Sequence, residues 1–160
     1  MTTPPQILVI GVGNDYAGDD AVGRVVVRRL TALMGDNVHV LEESGEGTAL
    51  IEAWKGADFV ILIDAVNSSG TPGTVHRFDV AVEPLPSKFF RYSTHAFSVA
   101  EAIELARALK QLPARLIVYG IEGRNFESGA SLSLGVENAA EEVIKRIREE
   151  LGNSNALQLR

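Results

Sequence analysis

The sequence contains no cysteine. Disulfides, thiolate nucleophiles and thiolate metal ligands are therefore excluded, which leaves carboxylate, imidazole, hydroxyl and lysine groups for chemistry. Basic residues are also few, because 15 Lys and Arg stand against 21 Asp and Glu and give a formal net charge of −6. This charge argues against a nucleic-acid partner, since binding to phosphates requires a basic face.

Long apolar runs are absent from the sequence too. The run FVILIDAV, residues 59–66, is interrupted by Asp64 and is far too short to cross a bilayer. The start MTTPPQ has no cationic segment, so we expect neither a signal peptide nor a membrane partner, and a cytoplasmic location. With 160 residues the chain predicts a single domain over 1–152, followed by a flexible tail over 153–160.

What the sequence does have is a regular alternation of strand-like and helix-like segments. Apolar or alternating runs predict strands at 6–12, 38–41, 59–65, 74–78 and 116–121. Amphipathic runs predict helices at 20–34, 47–56, 98–110 and 136–151, with Ser98 and Glu101 forming a capping box. The order predicts a three-layer α/β sandwich around a twisted, mostly parallel five-stranded sheet, whose strand at 74–78 is the candidate antiparallel member.

The stretch ILVIGVGNDYAGDDAVG, residues 7–23, runs from a strand through glycines into a helix. Such a turn often binds phosphate, but Tyr16 occupies the position of the third fingerprint glycine. Asp15, Asp19 and Asp20 would also repel a pyrophosphate. We therefore expect a cation here, with helix capping by Asp19 or Asp20 as the alternative interpretation.

In α/β sheets, ligands bind beyond the carboxyl ends of the strands. Polar side chains that follow strands or the loop before the 98–110 helix are Asp15, Asp19, Asp20, Asp64, Asn67, His95, Glu122, Arg124 and Asn125. Two carboxylates and one imidazole form a ligand set that suits nickel, zinc, iron or manganese. The other histidines, His39 and His76, lie in predicted strands and are interpreted as ordinary surface or core residues.

Three motifs together resemble the hydrogenase maturation endopeptidases: GVGNDYAGDDAVG after an aliphatic strand, DAV ending the third strand, and STHAFSVAEAIELARAL. The resemblance implies a twisted mixed sheet of the phosphorylase/hydrolase-like type. It further implies that Asp20, Asp64 and His95 hold a metal. The implied activity is one cut, after nickel insertion, that removes the C-terminal extension of a nickel–iron hydrogenase large-subunit precursor. Nickel would be supplied within that substrate, and zinc or cadmium would be its substitute in crystals.

The resemblance leaves the chemical step open between an aspartic-type and a metal-assisted endopeptidase. The candidate catalytic residues are Asp19, Asp20 and Asp64, with Asp19 as a general base or as an orienter of His95. Asn14 and the backbone N–H groups after Gly11 are candidates for holding the turn or binding an oxyanion. We also expect the glycines to allow close backbone approach at the helix start.

The segment ESGEGTAL, residues 43–50, departs from the Asp-Gly-Gly-Thr-like pattern of many members. We expect the loop from Ser44 to Thr48 to border the substrate groove, so Glu46 within it indicates a different hydrogenase class. Three alternatives remain: a non-catalytic nickel-site checkpoint or chaperone of the immature large subunit, a metal-dependent hydrolase of small amides, and a purely structural domain.

Overall fold

The computed structural model describes residues 4–86 and 98–158, with side chains up to residue 152. Its centre is a five-stranded sheet in the order β2-β1-β3-β5-β4. The strands are β1 (Ile7–Val12), β2 (Val38–Glu43), β3 (Phe59–Val66), β4 (Val75–Asp79) and β5 (Arg115–Glu122). All neighbouring strands pair in parallel except β4, which is antiparallel to β5. The predicted mixed sheet and its antiparallel member are confirmed.

Four α-helices accompany the sheet within the described residues. They are α1 (Val22–Thr31), α2 (Gly47–Trp54), α3 (Val99–Ala108) and α4 (Leu134–Gln158), and a short 3-10 helix (Gly18–Ala21) precedes α1. The predicted capping box of Ser98 and Glu101 begins α3. Because α4 continues to Gln158, it includes most of the segment predicted as a tail, whose flexibility stays a prediction.

The sheet separates two hydrophobic cores. In β3, Ile61 and Ile63 pack with α1 and α4, whereas Val60 and Leu62 pack with α2 and α3. Side chains along a strand alternate between faces, so Asp64 belongs to the α2/α3 face. Burial on both faces explains why β3 reads as an almost continuous aliphatic run.

The carboxyl ends of β1, β3 and β5 lie at one edge of the sheet because these strands are parallel. The edge thus collects the turn after β1, the Asp64 end of β3 and the loop after β5. Among the described residues, no helix has both the length and the apolar character needed to span a membrane.

Candidate active site

Three glycines allow the start of α1 to pack closely against the edge of the sheet. A Cβ on Gly23 would lie 2.3 Å from the carbonyl oxygen of Ile63 and 2.5 Å from that of Val12. A Cβ on Gly11 would lie 2.3 Å from the carbonyl oxygen of Gly23. Gly13 has φ +150° and its Cβ would lie 1.9 Å from the carbonyl oxygen of Asp20. The expected close backbone approach is confirmed. It places the 3-10 helix next to the end of β3.

Asp20 and Asp64 influence each other electrostatically at this edge. Burial raises the pKa of Asp64 well above its usual value, and the negative charge of Asp20 raises it further, against a hydrogen bond from the Ala65 N–H. Asp20 Oδ2 accepts a hydrogen bond from the Asn14 N–H at 2.9 Å. Two predicted metal ligands therefore repel each other at this edge. A bound cation would offset that repulsion.

His95, the third predicted ligand, lies outside the described residues. Within residues 4–86 and 98–158, no group of three or more His, Asp or Glu side chains has the spacing of a metal site. The complete ligand set therefore stays a prediction.

Asp19 is fully buried and tied to the loop between β5 and α4. Its Oδ2 accepts hydrogen bonds from Arg124 N at 2.7 Å, Asn125 N at 2.9 Å and Ser133 Oγ at 2.8 Å, and its Oδ1 accepts one from Ser133 N at 2.7 Å. Burial raises the pKa of Asp19, but these four donors outweigh burial and hold the pKa below its usual value. The side chain is built to stay ionised and to fix this loop.

The capping interpretation is wrong for both aspartates. The residue before the 3-10 helix is Ala17 and the one before α1 is Ala21, and within the described residues neither helix start has a side-chain capping bond. The physical reason is that Asp19 turns inward to Ser133, a partner 114 positions along the chain. Local propensity rules cannot identify such a distant partner, and Ser133 was missed in the sequence.

The turn after β1 has its own internal bonds. Asn14 Oδ1 accepts a hydrogen bond from Tyr16 N at 2.9 Å, so Asn14 holds the turn as expected. The N–H of Gly13 donates to Glu43 O at 3.0 Å, and that of Asn14 donates to Asp20. These two N–H groups are thus engaged, which removes them as oxyanion donors. Asp15 lies on the outer side of the turn, where its carboxylate accepts a hydrogen bond from Arg28 at 2.5 Å that lowers its pKa.

The loop after β5 combines buried and exposed polar groups. Glu122 is only 1% exposed and accepts hydrogen bonds from the N–H and hydroxyl of Ser68, while His76 Nε2 lies 3.2 Å from its Oε1. Asn125 has structural contacts as well, because its carbonyl oxygen accepts a bond from Asp19 N at 2.8 Å. Arg124 is exposed and Asn67 is half-buried beyond β3.

Glu46 has a structural role that the sequence did not indicate. Its carboxylate accepts hydrogen bonds from Thr48 N and Ala49 N, both at 2.9 Å, and so caps the N-terminus of α2. The neighbouring Gly45 packs near Val12, so this loop does flank the turn after β1. Whether it borders a substrate groove stays a prediction.

Comparisons with known proteins place this edge in context. A family model described as hydrogenase maturation protease matches residues 25–150. The chain is 29% identical over 152 residues to the hydrogenase 2 maturation protease of Escherichia coli, covering 90% of this chain and 92% of that protein. It is 30% identical over 124 residues to the hydrogenase expression/formation protein HupD of Thiocapsa roseopersicina, covering 76% of this chain but 56% of that protein. The solution structure of an endopeptidase from Escherichia coli superposes with a TM-score of 0.81 at 28% identity, over 93% of each chain.

Proposed function

The chain belongs to the hydrogenase maturation protease family, and we propose that it removes the C-terminal extension of a nickel–iron hydrogenase large-subunit precursor in the cytoplasm, after nickel insertion. The observation that carries this proposal is that the glycine contacts hold the Asp20 turn against the carboxyl end of β3, where the charge of Asp20 acts on Asp64. Nickel in this proposal belongs to the substrate.

The residues present fit a cation brought by a partner. Asp64 is half-buried, and the charge of Asp20 opposes its ionisation. A divalent cation would reverse that opposition, because a nearby positive charge favours the ionised form of both carboxylates. Asp20, Asp64 and His95 would then hold nickel that another protein carries, through oxygen and nitrogen ligands that suit it.

The catalytic roles follow from the contacts of each aspartate. Bound nickel would supply Lewis acidity toward the scissile carbonyl. Asp20 and Asp64 would orient the substrate by holding the metal. Asp19 would instead position the loop between β5 and α4, since its four hydrogen bonds favour a carboxylate that stays ionised. A general base must accept a proton, so Asp19 is poorly suited to that role.

A protein substrate also fits the exposed surface beside the edge. Tyr16, in the turn after β1, is 79% exposed, and Leu134 at the start of α4 is 78% exposed. The two segments are linked, because Tyr16 O accepts a hydrogen bond from Gly129 N at 2.8 Å. In this proposal both side chains are candidates for contact with the precursor, because they are exposed on segments that flank the edge.

The test is intact-mass spectrometry of a large-subunit precursor, nickel-loaded or nickel-free, incubated with the native protein. Discrete loss of the C-terminal extension is expected only with nickel. Asp20→Asn should abolish the cut, whereas the exposed Asp36→Asn should cleave like the native protein. An intact precursor that forms a nickel-dependent complex would contradict the protease proposal and favour the non-catalytic checkpoint instead.

A further inference from the structure

Three neighbouring strands place Asp64, Gly120 and His76 in one row. Asp64 pairs with Gly120 between β3 and β5, and Gly120 pairs with His76 between β5 and β4. Directly paired residues project from the same face of a sheet, here the α2/α3 face. Gly120 has no side chain, so no side chain of this row stands between Asp64 and His76. Two strand spacings separate their Cα atoms, about 9.5 Å.

The imidazole of His76 is held from two sides. Its Nε2 lies 3.2 Å from Oε1 of the buried Glu122, and its ring stacks on Phe78 with centroids 6.2 Å apart. Ser68 donates both its N–H and its hydroxyl to the same carboxylate. A carboxylate only accepts hydrogen bonds, so Nε2 carries the proton of this contact. In the neutral ring the other nitrogen, Nδ1, then carries the lone pair.

The pair of His76 and Glu122 provides a candidate for the proton-transfer group that the proposed function still requires. Hydrolysis of a peptide bond needs a group that takes a proton from water and returns it to the leaving nitrogen. Asp20 and Asp64 are assigned to the metal, and Asp19 is committed to four donors. Among the described histidines, His39 lies on the far edge strand β2, whereas His76 shares the row of Asp64.

We propose that His76 is the proton-transfer residue of this protease and that Glu122 is its positioning residue; the inference rests on the proposed function. Nδ1 takes a proton from the attacking water as its oxygen bonds to the scissile carbonyl carbon. The imidazolium then gives that proton to the departing nitrogen as the C–N bond breaks. The products are a new C-terminal carboxyl group and the free amine of the released extension, with one water consumed.

The test measures single-turnover cleavage of the nickel-loaded precursor by excess protease. His76→Gln keeps a side-chain donor for Glu122 but transfers no proton, so the maximal rate should fall by roughly 10²–10⁴-fold. The protease concentration giving half the maximal rate should stay within about threefold, because binding is not removed. His39→Gln is the matched control and should cleave at the native rate, since His39 is exposed on β2.

Two further variants separate chemistry from structure. His76→Ala should regain part of its rate when free imidazole is added, which a purely structural role would not allow. Glu122→Gln should lower the maximal rate less than His76→Gln does. A maximal rate for His76→Gln within about threefold of native, or a loss in His76→Ala that imidazole leaves unchanged, would overturn the assignment. If the native protein itself fails to cleave, the proposed function is refuted and the inference falls with it.

Discussion

The substitution Asp19→Asn tests the claim that a buried carboxylate fixes the loop beside the site. The carboxylate accepts four hydrogen bonds, three of them from backbone N–H groups. An asparagine retains one acceptor oxygen, which in the best orientation keeps the three bonds now made to Oδ2. Its NH₂ group must then face the N–H of Ser133, and two donors that point at each other cannot bond.

The magnitude follows from that count. Two buried donors lack an acceptor in the variant, the N–H of Ser133 and the NH₂ group of the introduced asparagine, and each unsatisfied buried group costs about 1–3 kcal/mol. The free energy of unfolding should therefore fall by about 2–6 kcal/mol at pH 7, the sum of those two costs. Asp36→Asn, at an exposed position, is the control and should change it by less than about 0.5 kcal/mol.

Urea denaturation followed by circular dichroism measures the loss, and its pH dependence checks the cause. The pKa of Asp19 is depressed below 3.8 in the folded protein, so its stabilising contribution is complete above 3.8 and is lost as the pH falls through the folded value. The difference between native and Asp19→Asn proteins should hence narrow below pH 3.8. Equal unfolding free energies at pH 7, or a difference that widens in acid, would refute the role given to Asp19.

Three further substitutions test the architecture of the edge. Gly23→Ala should lower the melting temperature with a loss of at least about 2 kcal/mol because its Cβ meets backbone oxygens, whereas Gly152→Ala, with nothing within 4 Å, should be neutral or stabilising. Asp64→Asn should raise the unfolding free energy of chelator-treated protein at pH 7, because it removes a charge that burial and Asp20 both disfavour; a lower value would contradict this. Glu46→Ala should cost about 1 kcal/mol in urea denaturation by removing the cap of α2, and Glu46→Asp should retain most of it.

Much of the fold could be predicted because its signals are local. Apolar runs of strand length and amphipathic runs of helix length lie next to one another in the sequence, and their order leaves few topologies for a sheet. The boundaries were less predictable: α1 begins at Val22 because the preceding turn is a 3-10 helix, and α4 continues to Gln158. The meeting of Asp20 with Asp64 was also within reach, since parallel strands bring their carboxyl ends to one edge.

The glycines show how a prediction from the sequence is completed by the structure. A sequence can indicate that Gly11, Gly13 and Gly23 permit close approach, but only the structure shows what approaches them. Gly23 packs on the carbonyl oxygens of β1 and β3. That contact holds the start of α1, and Asp20 just before it, close to the end of β3 that carries Asp64. The same holds for Gly120, which becomes informative only when the register places it between Asp64 and His76.

The sequence by itself therefore determined the sheet, its helices, the family and the edge of the sheet at which the acidic residues lie. The reason is that hydrophobic periodicity, the order of the elements and the motifs are all carried by residues close together in the chain. Tertiary structure alone decided the roles of the polar groups whose partners lie far away in the chain, above all Asp19 and Glu122. Asp19 binds residues 105 to 114 positions away, and Glu122 is buried against a histidine 46 positions away. A buried carboxylate takes whichever donors the folded loops bring to it, and no local pattern records which donors those will be.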